Sequence, residues 1–274
     1  MDLGNLKDLL GNAGSVGDTL KNVTNEVKNI AKDSISDIKS GSGENVRNEA
    51  FKKICALIPG KVDNSLVINA FEAMRKQQKL MKKDFSAHLK VNEEAFKKHV
   101  DIIKKNKGFV EDQNNFTDMN YGDSTMQYSG CEVFATYNAM YSIDGKNTIS
   151  LPAMIAEYEK DGMVLSGKFG TSPKAIADFL NKHGYKAELV TEEAKFDNLG
   201  KTYQSLILTM YNDGSDISQE VHTVNISKEN GQFIAHNVYC NGKVVGPYKS
   251  VTEVIKNING GKAKGISLIG VKKA

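Results

Sequence analysis

Apolar positions Leu20, Val23, Val27, Ile30, Ile35 and Ile38 recur near three- and four-residue steps, which predicts a helix with one apolar stripe. Ser40-Gly-Ser-Gly43 reads as a flexible joint, and a second helix over 44–57 ends at Pro59-Gly60. A third helix starts near Asn64 or Ser65 and carries Leu66, Ile68, Phe71, Met74, Leu80 and Met81. Another starts at Asn92 with Glu93 and Glu94, carries Phe96, Val100 and Ile103, and stops at Asn106-Lys-Gly108. The lysines of 79–83 and 97–98 fit solvated helix faces. The polar stretch 111–124, rich in Asn, Asp and Gly, reads as a linker.

Beyond it the periodicity changes. Helical patterns cover 131–142, 152–160, 173–183 and 251–258, and strand patterns cover 205–211, 221–226, 233–239 and 265–271. Helices first and strands later, with a hairpin signal at Asn230-Gly231, predict an α+β fold. A four-residue loop in that hairpin sets His222 opposite Asn237. A two-residue loop sets it opposite Tyr239, with Asn237 on the diagonal. In either register His222 and Asn237 share one face and His236 takes the other. The expected division is a helical region over 1–115 and a second domain over 121–274.

Composition narrows the function classes. The 274 residues carry a net charge of +3 with acids and bases interspersed, so no nucleic-acid partner is implied. Three cysteines, Cys55, Cys131 and Cys240, are too few for a disulfide framework; Cys55 reads as core and Cys240 as a strand end. No apolar run approaches the roughly 18–20 residues of a membrane span. The N-terminus lacks a basic segment followed by an apolar one, so a Sec signal peptide is not expected. The expectation is synthesis as a cytoplasmic protein, with export by a signal-independent route left open. No His, Cys and Asp positions show metal-ligand spacing, and neither a metal nor another cofactor is expected.

The chemistry concentrates in Gln127-Tyr-Ser-Gly-Cys131. Cys131 opens a helix, where unpaired amides and the macrodipole favour a thiolate, and a nearby imidazolium would lower the thiol pKa further. His222 stands at the head of one strand pattern and Asn237 at the end of the next. Asn237 is expected to orient His222 through its side-chain carbonyl, and His222 to take the thiol proton. Gln127 is expected to donate an amide N–H to an oxyanion beside the Cys131 backbone N–H. Among the other histidines, His88 and His99 read as surface residues, and His183 as a helix C-terminal one.

At these residues the chain resembles papain-like cysteine peptidases, and more closely the bacterial branch related to double-glycine, bacteriocin-processing peptidases. The likeness lies in Gln127…Gly130-Cys131, in Gly170-Thr-Ser-Pro173 leading into a helix, and in His222-Thr-Val followed by a strand ending Ile-Ala-His-Asn237. Glu132 stands where many relatives carry glycine, and Gln127 is closer to the cysteine than is usual. The resemblance implies a papain-like domain, an N-terminal helix carrying the cysteine and an antiparallel sheet carrying the histidine and asparagine, preceded by an all-α region. It implies a thiol peptidase: Cys131 as nucleophile, His222 as general base and acid, Asn237 as orienting residue and Gln127 as oxyanion donor, on a peptide or protein substrate. Two alternatives stay open. One is a deamidase or acyl-transferase effector or toxin using the same triad. The other is an inactive papain-like binding protein. The N-terminal helices would then dock on a partner, deliver the domain or mask the active site as a pro-segment.

Overall fold

The computed structural model describes residues 64–80, 83–214, 221–238 and 242–274. The apolar stripe of 20–38, the joint at 40–43, the helix of 44–57, Cys55 and Cys240 lie outside the described residues. So do the roles considered for that N-terminal part.

The described chain is α+β. Helix α1 (Asn64–Leu80) is followed by α2 (Ala87–Lys105), a 3-10 turn at Gln113–Asn115, and a small hairpin of β1 (Asn120–Tyr121) and β2 (Ser124–Thr125). A single turn α3 (Met126–Ser129) leads into α4 (Cys131–Asp144), α5 (Leu151–Asp161) and α6 (Pro173–Lys182). Strand β3 (Tyr185–Val190), α7 (Phe196–Thr202), β4 (Ser205–Tyr211), β5 (Val221–Glu229), β6 (Gln232–His236), β7 (Val245–Tyr248), α8 (Val251–Asn257) and β8 (Lys264–Lys273) complete it. The six-stranded sheet has the order β3-β8-β4-β5-β6-β7, and every pairing is antiparallel.

Local chemistry sets the element ends. Ser150 caps α5 by accepting from the Ala153 N–H at 3.3 Å, and Pro152 and Pro173 sit in the first turns of α5 and α6. Helix α2 stops where Lys107 and Gly108 turn to positive φ. It starts five residues before the expected Asn92. Asn92 lies within the helix, donating to the Asn120 carbonyl at 3.0 Å and accepting from the Asn120 N–H at 2.7 Å. Helix α4 is buried from Cys131 through Met140 with no exposed face in that stretch, so it is the central helix of the described chain.

The sheet packs on both sides. Ile207, Ile269 and Val271 face α4, α5 and α6, in a core that also holds Phe85, Ala95 and Ile103 of the α2 region. Leu206, Leu208, Met210, Val224, Ile226 and Leu268 face α7 and α8 in a second core. A third cluster joins Val67, Ile68, Phe71 and Met74 of α1 to Tyr211 and Ile266. The described helices before 115 therefore share their cores with the residues after 121. Within the stretch expected as a linker, Glu111, Gln113, Phe116, Met119 and Tyr121 are buried. Its polar composition serves turn geometry instead: the Asp112 side chain accepts from the Asn114 N–H at 3.0 Å and opens the 3-10 turn.

Candidate functional site

Cys131 begins α4, directly after the α3 turn and Gly130. A side chain at Gly130 would meet the Met126 carbonyl at 2.5 Å, so the close joint between α3 and α4 requires glycine there. Cys131 is a free, buried thiol, and it lies against the backbone N–H of Thr223 in β5. Helix α4 runs along β5 from there, and its last turn reaches β4, where Ser142 Oγ donates to Ser205 Oγ at 2.7 Å.

The expected thiolate is not what this environment favours. Burial pushes the Cys131 thiol well up, the adjacent Glu132 carboxylate adds to it, and the Thr223 N–H acts in the opposite direction. A helix N-terminus contributes about 0.3–2 kcal/mol toward the anion. Full burial of an ionisable group opposes it by up to several pKa units at about 1.4 kcal/mol each. Burial wins, so the surroundings favour the thiol over the thiolate. Glu132 is itself pushed up to about 7 by burial, against hydrogen bonds from its own N–H, the thiol and the Thr171 N–H. Its carboxylate occupies space that Gly170 leaves open: a Cβ at Gly170, whose φ is +69°, would fall 2.6 Å from Glu132 Oε2. The Gly170-Thr-Ser-Pro173 stretch thus houses Glu132. Tyr121 and Thr171 close it through a hydroxyl pair at 2.5 Å.

The hairpin takes the two-residue register. Glu229 pairs with Gln232 and Asn225 with His236, so residues 230 and 231 form the loop. His222 pairs with Met210 across β4 and, by alternation, shares its face with Val224 and Ile226. That is the α7–α8 side of the sheet. Thr223, Asn225 and Ser227 look toward α4. The structure therefore brings the thiol to the residue beside His222, while thiol and imidazole are directed to opposite faces.

Asn237 also differs from expectation. Strand β6 ends at His236, and Asn237 turns to a φ of +61°, outside the strand. Its side chain is held by Gln113: Oδ1 accepts from the Gln113 N–H at 3.0 Å and Nδ2 donates to Gln113 Oε1 at 2.9 Å. The Asn237 backbone carbonyl is what meets His222, accepting from Nε2 at 2.6 Å. The expected side-chain orientation is corrected accordingly: the break in the strand turns the peptide, and the amide goes elsewhere. Burial pushes the His222 imidazole down to about 4, opposed by this hydrogen bond. A carbonyl only accepts, so Nε2 carries the proton and Nδ1 is the basic nitrogen.

Gln127 lies in α3, partly buried. Its backbone carbonyl accepts from Gln113 Nε2 at 2.7 Å, and its N–H donates to the Phe116 carbonyl at 3.2 Å. Gln113 and Glu111 were missed by sequence reasoning because both fall in the supposed linker. Glu111 accepts from His236 Nδ1 at 2.7 Å and from the Asn237 N–H at 3.3 Å. The remaining histidines pair with carboxylates: His88 with Glu159 at 2.7 Å, His99 with Asp118 at 2.6 Å, and His183 with Glu157 at 3.0 Å. The His99 side chain is only 12 % exposed and packs on Phe116, so it is less a surface residue than expected. Two surface cavities, of about 410 and 460 Å³, lie elsewhere and are lined by none of Cys131, His222, Asn237 and Gln127.

Among the described residues no cluster of His, Cys, Asp and Glu could hold a metal ion, and no helix is long and apolar enough to cross a membrane. Comparison of the chain with family models, curated proteins and solved structures returns no match. The class that fold and site define is thus read from geometry alone. It is an α+β protein whose buried central helix presents a thiol to an antiparallel sheet, beside a histidine of defined tautomer.

Proposed function

We propose that the chain is a cysteine-dependent amide hydrolase of papain-like layout, held here in a resting arrangement, with a peptide or protein as substrate. One observation carries the reading. The thiol at the head of the central helix lies against the strand backbone next to His222, and the Asn237 carbonyl fixes that imidazole with Nδ1 as the basic nitrogen. A thiol needs that form of imidazole as its general base.

The reaction follows from the atoms present. Nδ1 of His222 takes the Sγ proton of Cys131 and the sulfur attacks the amide carbonyl. The imidazolium then protonates the leaving amine. Water hydrolyses the thioester, returning the proton to the thiol. The step required first is a turn of His222, the second residue of β5, toward the α4 side of the sheet. Gln127 stands on the turn just before the thiol and is the side-chain candidate for the oxyanion.

A second reading has its own support. The buried thiol and the opposite facing of the imidazole suit a papain-like domain that binds and does not cleave. Profiling a peptide library with the full chain, its Cys131→Ala and its His222→Ala variants separates the two. Cleavage lost in both variants is the expected result. The binding reading prevails if the wild type cleaves nothing and Cys131, followed by site-resolved mass spectrometry, reacts with iodoacetamide at pH 7 more slowly than a free thiol peptide. Ammonia release without chain cleavage assigns the same residues to deamidation.

A further inference from the structure

We infer that Gln113 is the positioning residue of this site in its resting arrangement, acting on His222 through Asn237 and on the turn before Cys131 through Gln127. The inference rests on the reading of Cys131 and His222 as the reacting pair, and it adds the residue that links their surroundings.

Gln113 is 1 % exposed and lies in the 3-10 turn between α2 and β1. Its backbone N–H and Oε1 grip both ends of the Asn237 amide, at 3.0 and 2.9 Å. Its Nε2 donates to the Gln127 carbonyl at 2.7 Å. One buried side chain thus joins the end of β6 to the turn that precedes the thiol. The remaining backbone donor of Asn237, its N–H, is taken by Glu111 at 3.3 Å. With side chain and N–H held, the Asn237 peptide keeps its φ of +61° and presents its carbonyl to His222 Nε2 at 2.6 Å. An imidazole donating to a fixed carbonyl is locked in one tautomer, and that tautomer leaves Nδ1 basic. A buried amide bonded through both its oxygen and its nitrogen is costly to disturb, because each lost partner strands a polar group. The grip therefore holds the peptide, and the peptide sets the imidazole.

The readout is the His222 tautomer, followed by nitrogen–proton NMR of histidine-labelled full-length protein. Wild type shows Nε2–H alone. In Gln113→Ala the expected result is a mixture of Nε2–H and Nδ1–H signals. Gln113→Glu keeps the acceptor for Asn237 but, when ionised, cannot donate to Gln127; it is expected to retain the wild-type tautomer. A merely structural Gln113 would lower the melting temperature and leave the tautomer unchanged in the folded Gln113→Ala protein, and that result overturns the inference. If Gln113→Ala does not fold, Asn237→Ala supplies the same comparison: an unchanged single tautomer overturns the grip, and a mixed one supports it. The readout does not depend on turnover. A wild type that cleaves nothing ends the hydrolase proposal and leaves the tautomer result to be judged separately.

Discussion

The two faces of strand β5 are built to different rules. Toward α7 and α8 it shows Val224 and Ile226 in an apolar core. His222, on the same side, is held by the Asn237 carbonyl at 2.6 Å. Toward α4 it shows Thr223, Asn225 and Ser227, each bonded to another side chain: Thr223 to Thr209 at 3.2 Å, Asn225 to Ser205 at 2.8 Å, and Ser227 to His236 at 2.8 Å. The two buried histidines make the contrast plain. His236 has a carboxylate on Nδ1, a hydroxyl on Nε2 and the Phe109 ring stacked at 3.9 Å. His222 is set by a peptide carbonyl and kept neutral by burial. A histidine anchored on both nitrogens and one face pins structure. A histidine whose tautomer is dictated by a peptide can change its role if that peptide moves.

The largest expected effect tests the pinned side. Glu111→Ala removes the acceptor of His236 Nδ1 and of the Asn237 N–H together. Breaking a buried carboxylate–imidazole contact from one side costs about 3–5 kcal/mol. Urea denaturation should show a loss in that range. A loss below about 1 kcal/mol would mean that the Glu111–His236–Ser227 chain is incidental, and the contrast between the two histidines would fail.

Much of this architecture was legible in the chain. Strand 205–211 and the helix starts at Cys131 and Pro173 coincide with the observed elements: a short apolar run marks a strand buried on both faces, and a proline in the first turn marks the start at 173. The hairpin followed from Asn230-Gly231, and of the two registers that the sequence left open the two-residue one is observed. Strand β3 and helix α7 were missed: Lys186 and Glu188 interrupt the apolar run of one, and the other is a short FDNLGKT segment. The site was half legible. Parity put His222 and Asn237 on one side, but a two-period argument holds only while the strand continues; β6 stops one residue before Asn237, and the Asn237 amide goes to Gln113 instead. The sheet face that meets α4 could not be read either, because Thr223, Asn225 and Ser227 look solvent-facing in sequence and are buried. Gln113 and Glu111 were hidden for the same reason: polarity signals a loop, and burial of polar residues depends on partners far along the chain.

The second prediction uses pH to separate the two sides of the site. His222 is pushed down from 6.5 to about 4, so the unfolded chain takes up a proton first. Its contribution is fully present above pH 6.5 and is lost as pH falls toward 4. Glu132 is pushed up from 4.5 to about 7, so the folded chain holds its proton longer. Its contribution is fully present below pH 4.5 and is lost as pH rises toward 7. Each effect is on the order of 3 kcal/mol, and between pH 4.5 and 6.5 they oppose one another. Relative to wild type, Glu132→Gln should gain stability with rising pH over that interval. His222→Gln should lose it, while Gln keeps an N–H for the Asn237 carbonyl. Parallel pH profiles for the two variants would show that burial does not control these groups.

The smallest effect probes the polar face itself. Ser142→Ala removes one hydroxyl bond between α4 and the sheet, the 2.7 Å contact to Ser205. Ser205 Oγ keeps its donor from Asn225 Nδ2 at 2.8 Å, and the Ala139 carbonyl that Ser142 also contacts loses only a side-chain donor. No buried charge is stranded, so the cost is about 1 kcal/mol, read as a small shift of the urea midpoint with unchanged slope. The site should not respond, because Ser142 lies at the far end of α4 from Cys131. A change in the Cys131 alkylation rate with this substitution would mean that the helix shifts as a rigid rod on its polar bed. Thiol and sheet would then be coupled through the whole length of α4, and not through the Thr223 contact alone.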